Sequence, residues 1–441
     1  MTALSLAQGI PTGDSRAGAH IPHVVAWNLT RRCNLECAHC YISAGPTETA
    51  ESELTTTECL RIADEILALN PAPMFILSGG EPLLREDLPV IAEFAARRGA
   101  TVVVGTNGTM LTEERIATLK NAGVSGVAVS IDSLDARHHD NFRHGRGSLD
   151  ATREALARLR EHRLDFIVQT TATKGNRAEL GRIIEWAAEE GAVSFNLYFL
   201  VATGRGARLS DLGPAEYEEL LGALVAYHRQ YLGRMMVRAK CAPHFMRLVH
   251  QRAPESPVLG YETRCPCGVQ YCRITPDGLL TPCPYMPTPA GDLRRESFAT
   301  VWRDAPLFAE LRGGQLGGKC GRCEYRALCG GCRARALALE GHYLAADPSC
   351  VYEPTGDLPV IERLRTVTYG MPAAPAMRWS PEAEARLRRI PSFVRGVVVR
   401  RLEDYARERG IAEVTVEMMS EVRRAMPVDF SKRRPFFLGN D

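Results

Sequence analysis

The chain has 441 residues, of which 45% are hydrophobic and 24% charged, and its formal net charge is +2. That length calls for two or three domains, each with its own core. The balanced charge gives no reason to expect nucleic acid or an anionic membrane as a partner, and no apolar run is long enough to span a bilayer. The unusual figure is fourteen cysteines. Residues 1–22 hold no apolar signal segment, so the chain is expected to be cytoplasmic. Grouped thiols in that reducing compartment read as soft-metal ligands, not disulfides.

In chain order, residues 1–22 are Gly- and Ala-rich and read as a flexible lead-in. From 23 to 235 short apolar runs predict strands over 24–29, 74–77, 101–105, 126–131, 165–173 and 194–200. Amphipathic stretches between them predict helices over 55–69, 85–98, 112–122, 148–163 and 177–190. Six such units predict an α/β domain, a partial (β/α)6 TIM-like barrel, with ligands at the carboxyl ends of its strands. A helix is expected over 214–232. Residues 236–355 are rich in Cys, Gly and Pro and are expected to be ordered by metal more than by an apolar core. Residues 376–436 form a small helical unit, with helices over 381–389, 391–409 and 414–426.

Cys33, Cys37 and Cys40 lie in the loop after the first strand. Three thiolates at this spacing can each hold one iron of a cubane cluster, which leaves the fourth iron open. A zinc knuckle is the alternative, but no fourth cysteine is near and His39 is cramped between Cys37 and Cys40. The Cys-x3-Cys-x2-Cys run followed by Tyr41 resembles the signature of the radical S-adenosylmethionine (SAM) superfamily. The resemblance implies a catalytic [4Fe–4S] cluster on Cys33, Cys37 and Cys40. Its open iron chelates SAM, and one electron then releases a 5′-deoxyadenosyl radical. It further implies that SAM is held by Gly79, Gly80 and Glu81 of Ser78-Gly-Gly-Glu-Pro82. Asn107, Ser130, Asp132 and Arg143 belong to the same implied set, with Thr171 a weaker member. Without the resemblance, these segments are ordinary strand-ending turns and caps.

Nine further cysteines fall between Cys265 and Cys350. Gly278-x4-Cys283, Cys320-x2-Cys323-x5-Cys329, Cys332 and Cys350 resemble the SPASM auxiliary-cluster pattern, except that the gap from Cys329 to Cys332 is one residue short. The resemblance implies one or two auxiliary [4Fe–4S] clusters. Cys320, Cys323, Cys329 and Cys350 would hold one. Cys283, Cys332 and one or two of Cys265, Cys267 and Cys272 would hold the other. A zinc ribbon is the alternative, although nine thiols are too many for one zinc ion. Cys241 reads first as a buried thiol, with a ligand or hydrogen-donor role open.

The segments 199–206 and 323–350 resemble radical SAM enzymes of the alternative haem and haem d1 pathways. The helical tail resembles the C-terminal domain of light-independent protochlorophyllide reductase subunits. Both imply a tetrapyrrole substrate whose acetate or propionate groups are removed or oxidised. Acetate removal, giving iron-coproporphyrin, is the favoured variant. Such chemistry implies a one-electron donor such as ferredoxin or flavodoxin. Arg205, Arg333 and Arg335 are candidate carboxylate partners, and His138, His139, His144 and His244 are candidate axial ligands. Two rival readings stand beside this one. A SPASM-type peptide maturase is disfavoured by the short lead before the first strand. A non-catalytic Fe–S or zinc protein would have no use for Glu81, Asp132 and Arg143 around an open iron.

Overall fold

The computed structural model describes residues 20–209, 212–260, 264–362 and 375–424. All but the last three residues of the expected lead-in, and the end of the last expected helix, lie outside them. Seven strands run parallel in chain order: β1 (Val24–Thr30), β2 (Met74–Gly79), β3 (Thr101–Thr106), β4 (Val124–Ser130), β5 (Asp165–Ala172), β6 (Ser194–Phe199) and β7 (Met236–Lys240). On the other side of β1 lie β8 (Tyr271–Ile274), parallel to it, then β9 (Leu279–Thr281) and β10 (Gly291–Asp292), antiparallel. The Cys-rich region therefore extends the barrel sheet to ten strands. The sequence reading stopped at six because the added strands are short and interrupted by thiols and glycines.

Each strand has an apolar face and a mixed one, as the two-residue period dictates. Val25, Trp27, Leu29, Phe75, Leu77, Phe166, Val168, Phe195 and Leu197 pack against the helices as one core. Helices Thr56–Leu69, Leu88–Arg97, Ser148–Glu161 and Leu180–Glu189 cover that face. The first is started by a capping box, in which Thr55 and Glu58 satisfy each other's backbone donors. The opposite face lines the barrel interior. Register puts Met236, Arg238 and Lys240 of β7 beside Ser194, Asn196 and Tyr198 of β6 on that face.

The interior changes character from one end to the other. At the amino ends of the strands it is apolar: Met74, Val103, Ala128, Ile167, Val193 and Met236 form a separate cluster. Phe393 of the C-terminal unit joins that cluster. Beside it, Ser392 meets the buried His23 ring at 2.9 Å and accepts from Asn70 Nδ2 at 2.8 Å. The C-terminal unit has its own small core around Trp379, Leu402, Ala406 and Met419. A two-stranded parallel ribbon, β11 (Arg378–Trp379) with β12 (Glu413–Val414), holds it together. It thus stoppers the end of the barrel opposite the carboxyl ends. Among the described residues, no helix is long and apolar enough to cross a membrane.

Candidate active site

The loop after β1 carries the first three thiols, and its fold is fixed by contacts from four strand ends. Backbone N–H groups of Leu35 and Ala44 donate to Cys33 Sγ (3.4 Å) and Cys40 Sγ (3.3 Å). Asn107 Nδ2 stands 3.9 Å from Cys33 Sγ, and Arg143 Nη1 stands 4.0 Å from Cys37 Sγ. Arg205 donates to the carbonyls of Cys37 (2.9 Å) and Ala44 (2.7 Å). At Gly204, which has φ +55°, a Cβ would come within 2.4 Å of the Cys40 carbonyl. The Gly-Arg-Gly segment after β6 is therefore a clamp on the thiol loop. Arg205 serves that clamp and is not the carboxylate partner expected from sequence.

The expected SAM residues gather around the same loop. A Cβ on Gly79 would lie 2.5 Å from the Thr30 carbonyl, and one on Gly80 2.3 Å from the Arg32 carbonyl, so only glycine lets β2 end against β1. Glu81 is fully buried and accepts from Thr106 Oγ1 (2.7 and 2.8 Å) and from the N–H groups of Asn107 (3.0 Å) and Leu83 (3.1 Å). Burial pushes its carboxyl above the usual range. Asp132 accepts from Arg143 Nε (2.9 Å) and Nη2 (2.6 Å) and from Thr171 N–H (2.8 Å). Burial alone would raise the Asp132 carboxyl, but the Arg143 guanidinium, the His39 and His139 rings and the Thr171 N–H together outweigh it and hold the group at about 2. Two Arg143 nitrogens are thus committed to Asp132, with Nη1 turned to Cys37. Ser130 ends β4 on the interior face, beside Gln169 of β5. Thr171 contributes its backbone.

These donors fit a cluster. Burial pushes Cys33 up to about 12 and raises Cys37 as well, so cationic iron is the kind of neighbour that converts them to thiolates at neutral pH. Among the described residues, no three His, Cys, Asp or Glu side chains are gathered as a single metal ion requires. The expected alternative ligand, His39, is stacked on Phe142 at 4.6 Å, and burial lowers it to about 4.

The later thiols form two groups. Cys320, Cys323, Cys329 and Cys350 line one cavity with Gly330, Gly331 and Arg247. N–H groups of Gly331 and Asp347 donate to Cys329 Sγ (3.5 Å) and Cys320 Sγ (3.4 Å). The shortened Cys329-Gly-Gly-Cys332 gap works because both glycines take left-handed backbones, φ +66° and +69°. Cys332 leaves this group and joins Cys265 and Cys283, within electrostatic range of both. Cys241 stands in the same range of all three. Cys267 lies 3.4 Å from Cys265, while Cys272 is buried in the main core, with Arg312 its charged neighbour.

Arg333 and Arg335, the other expected carboxylate partners, are also occupied. Arg333 donates to the carbonyls of Tyr343 and Ala345, both at 2.8 Å. Arg335 pairs with fully buried Asp347 at 3.2 Å and lies over Tyr217. His244 stands 3.1 Å from the same Asp347, and His139 Nδ1 accepts from Asp132 N–H. His138 and His144 sit at the ends of helix Ala136–Arg143, the latter exposed.

Between the first thiol loop and the Cys241–Cys283 group lies a part of the barrel interior that sequence reading missed. Tyr41 takes a hydrogen bond from Asn28 (2.7 Å), and its ring centroid is 5.2 Å from that of Tyr285. Tyr41 is within electrostatic range of both Cys40 and Cys283. Tyr271 of β8 and Tyr198 of β6 interact across the opening of the barrel. Burial raises all four phenols, which keeps them neutral. Arg238 and Lys240 come from the interior face of β7. Arg273, of β8, acts on Tyr41, Tyr271 and Cys283, but its Nε and Nη1 are committed to Thr281 Oγ1 and the Pro284 carbonyl, both at 3.0 Å. Four buried phenols and two cations, Arg238 and Lys240, thus line this part of the interior, a chamber between the two thiol groups. The only sequence signal was polar residues alternating at the ends of β6 and β7.

Comparison with known proteins agrees with this architecture. Residues 27–187 match the Radical SAM superfamily, 265–333 the iron–sulfur cluster-binding domain called SPASM, and 379–423 the proto-chlorophyllide reductase 57 kD subunit. The chain is 40% identical over 348 residues to the AdoMet-dependent heme synthase of Methanosarcina barkeri, covering 77% of this chain and 99% of the relative. It is 35% identical to the enzyme of that name from Nitratidesulfovibrio vulgaris, covering 75% and 92%. Against the Fe-coproporphyrin III synthase of Methanosarcina barkeri it is 31% identical, covering 74% and 87%. In fold it is similar to Streptococcus suis SuiB crystallised with S-adenosylmethionine (TM-score 0.62, 16% identity, 76% and 78% covered). The AdoMet-bound anSMEcpe structure is similar too (TM-score 0.59, 18% identity, 75% and 90% covered). The catalytic [4Fe–4S] cluster, SAM and auxiliary Fe–S ligation expected from the thiol spacing belong to this fold. The chain belongs to the radical SAM superfamily, in its SPASM-bearing branch.

Proposed function

We propose that this enzyme oxidatively decarboxylates propionate side chains of an iron porphyrin to vinyl groups, a haem-forming reaction, in the reducing cytoplasm. The observation that carries the reading is the chamber between the two thiol groups, walled by Tyr41, Tyr198, Tyr271 and Tyr285 and charged by Arg238 and Lys240. The higher identity to the heme synthases than to the Fe-coproporphyrin III synthase supports vinyl formation over acetate removal, the variant favoured from sequence.

Bound on Cys33, Cys37 and Cys40, cluster and SAM supply the 5′-deoxyadenosyl radical. The protein residues do the rest. Glu81 would accept hydrogen bonds from the SAM ammonium group, and Asn107, Ser130, Asp132 and Arg143 would line its other polar parts. Gly79 and Gly80 let the ligand approach the backbone. Lys240 and Arg238 would hold porphyrin carboxylates, while the phenols present flat apolar faces and exclude water. Loss of a hydrogen atom from the ring-attached methylene leaves a carbon radical. That radical releases carbon dioxide and becomes a vinyl group, giving up one electron for which an auxiliary cluster held by the later thiols would be the acceptor. The electron that starts each turnover comes from a donor such as ferredoxin or flavodoxin.

Anaerobic incubation with SAM, a reductant and iron coproporphyrin tests this. The expected result is 5′-deoxyadenosine together with loss of carbon dioxide and two hydrogens per modified side chain. Deoxyadenosine with no pigment change, but with modification of a peptide, would replace this reading with the maturase one.

A further inference from the structure

Cys241 follows β7, far along the chain from the other thiols around it. We propose that it is the fourth ligand of the auxiliary cluster otherwise held by Cys265, Cys283 and Cys332, so that this cluster has no open iron. The inference rests on the cluster reading of the Cys-rich region and assigns within it a ligand that the SPASM-type spacing does not include.

Two independent observations support it. The first is the grouping. All six pairs among Cys241, Cys265, Cys283 and Cys332 lie within electrostatic range, and the four come from four separate stretches of chain. Nothing in local sequence brings them together; the fold does. The second is the backbone. Cys241 has φ +60°, a left-handed conformation uncommon for a residue with a Cβ. That turn takes the chain out of β7 at the point where the thiol meets the other three. The competing candidates are placed differently. Cys267 stands 3.4 Å from Cys265 and is therefore the rival ligand that the experiment must separate, whereas Cys272 is sunk into the apolar core on the far side of β8.

Four thiolates saturate a cube of four irons. A cluster so closed can take up an electron but cannot coordinate a substrate carboxylate. Its position suits the first task. Cys241 lies in range of Tyr285, whose ring stands against that of Tyr41, and Tyr41 is in range of both Cys283 and Cys40. The electron released with carbon dioxide would thus have a short path across the chamber.

The test uses the full chain with Cys33, Cys37 and Cys40 replaced by alanine, so that only auxiliary iron is counted. C241A, C267A and C272A are added to that background one at a time. Iron, sulfide, Mössbauer and EPR spectra are read after anaerobic reconstitution. C241A is expected to lose half of the auxiliary iron or to convert one cluster to a three-iron form, with C267A and C272A unchanged. C241S, which keeps the volume and an oxygen donor, is the second variant should C241A fold poorly. It is expected to shift the EPR signal of one cluster only. Unchanged iron and spectra in C241A or C241S would overturn the assignment, as would loss on C267A with C241A intact. A background protein that takes up zinc in place of iron would overturn the cluster reading itself.

Discussion

The two thiol regions are built on opposite plans. The first loop offers three thiols, and the remaining side is surrounded by Glu81, Asn107, Asp132 and Arg143, polar groups drawn from the ends of three other strands. The Cys-rich region offers thiols in two groups, one with backbone donors to its sulfurs, and the neighbouring polar side chains of Arg333, Arg335, His244 and Asp347 are partnered internally. An open iron needs a prepared polar surrounding for its ligand, whereas a closed cluster needs only insulation and satisfied sulfur atoms. Position repeats the contrast. The open site lies at the carboxyl ends of β1–β4, and the later thiol groups draw on residues after β7 and β8.

That contrast can be broken most forcefully at the thiols. C40A should abolish formation of 5′-deoxyadenosine while leaving iron in the Cys-rich region, readable by iron analysis of the same sample. Loss of all iron would mean that the regions are not separate. Next in size is D132N, which leaves Arg143 buried without its carboxylate. Breaking such a pair costs about 3–5 kcal/mol, and thermal unfolding together with SAM binding should both show it. R335M at the closed region should be far milder in SAM binding, although it too disrupts a buried pair.

Smaller effects separate the arginines that sequence confused. K240A is expected to raise KM for a carboxylated porphyrin ~10-fold, the scale of one hydrogen bond to a charged group, with SAM cleavage retained but poorly coupled to product. R205A should instead lower iron occupancy of the first loop, since it removes two donors from that loop and none from the chamber. Smallest is F393A. The side chain is partly buried at the amino-end stopper, so a loss of about 1–2 kcal/mol is expected, below the full value for a core phenylalanine. Differential scanning calorimetry reads it, and an unchanged Tm would detach the helical unit from the barrel.

Much of this was legible in the residues. Strands β1–β6 are runs such as Val102–Val103–Val104 whose burial forces an extended, helix-covered element. The glycines and acids at strand ends were legible because few other roles need a glycine against a neighbouring carbonyl. What stayed hidden depends on contacts distant in sequence. Cys241 has no partner near it in the chain. Lys240 and Tyr198 are ordinary alternating residues until register sets them on one wall. Arg205, Arg333 and Arg335 look like surface cations until their carbonyl partners are seen. Single charged residues carry no address in sequence; the fold supplies it.

The most direct measurement of the central claim follows one hydrogen. Iron coproporphyrin deuterated at the ring-attached methylenes of its propionates is incubated with the reconstituted enzyme, SAM and a reductant, and the 5′-deoxyadenosine is analysed by mass. The account expects deuterium in the deoxyadenosine in step with vinyl formation. Unlabelled deoxyadenosine, or label without loss of carbon dioxide, would contradict it.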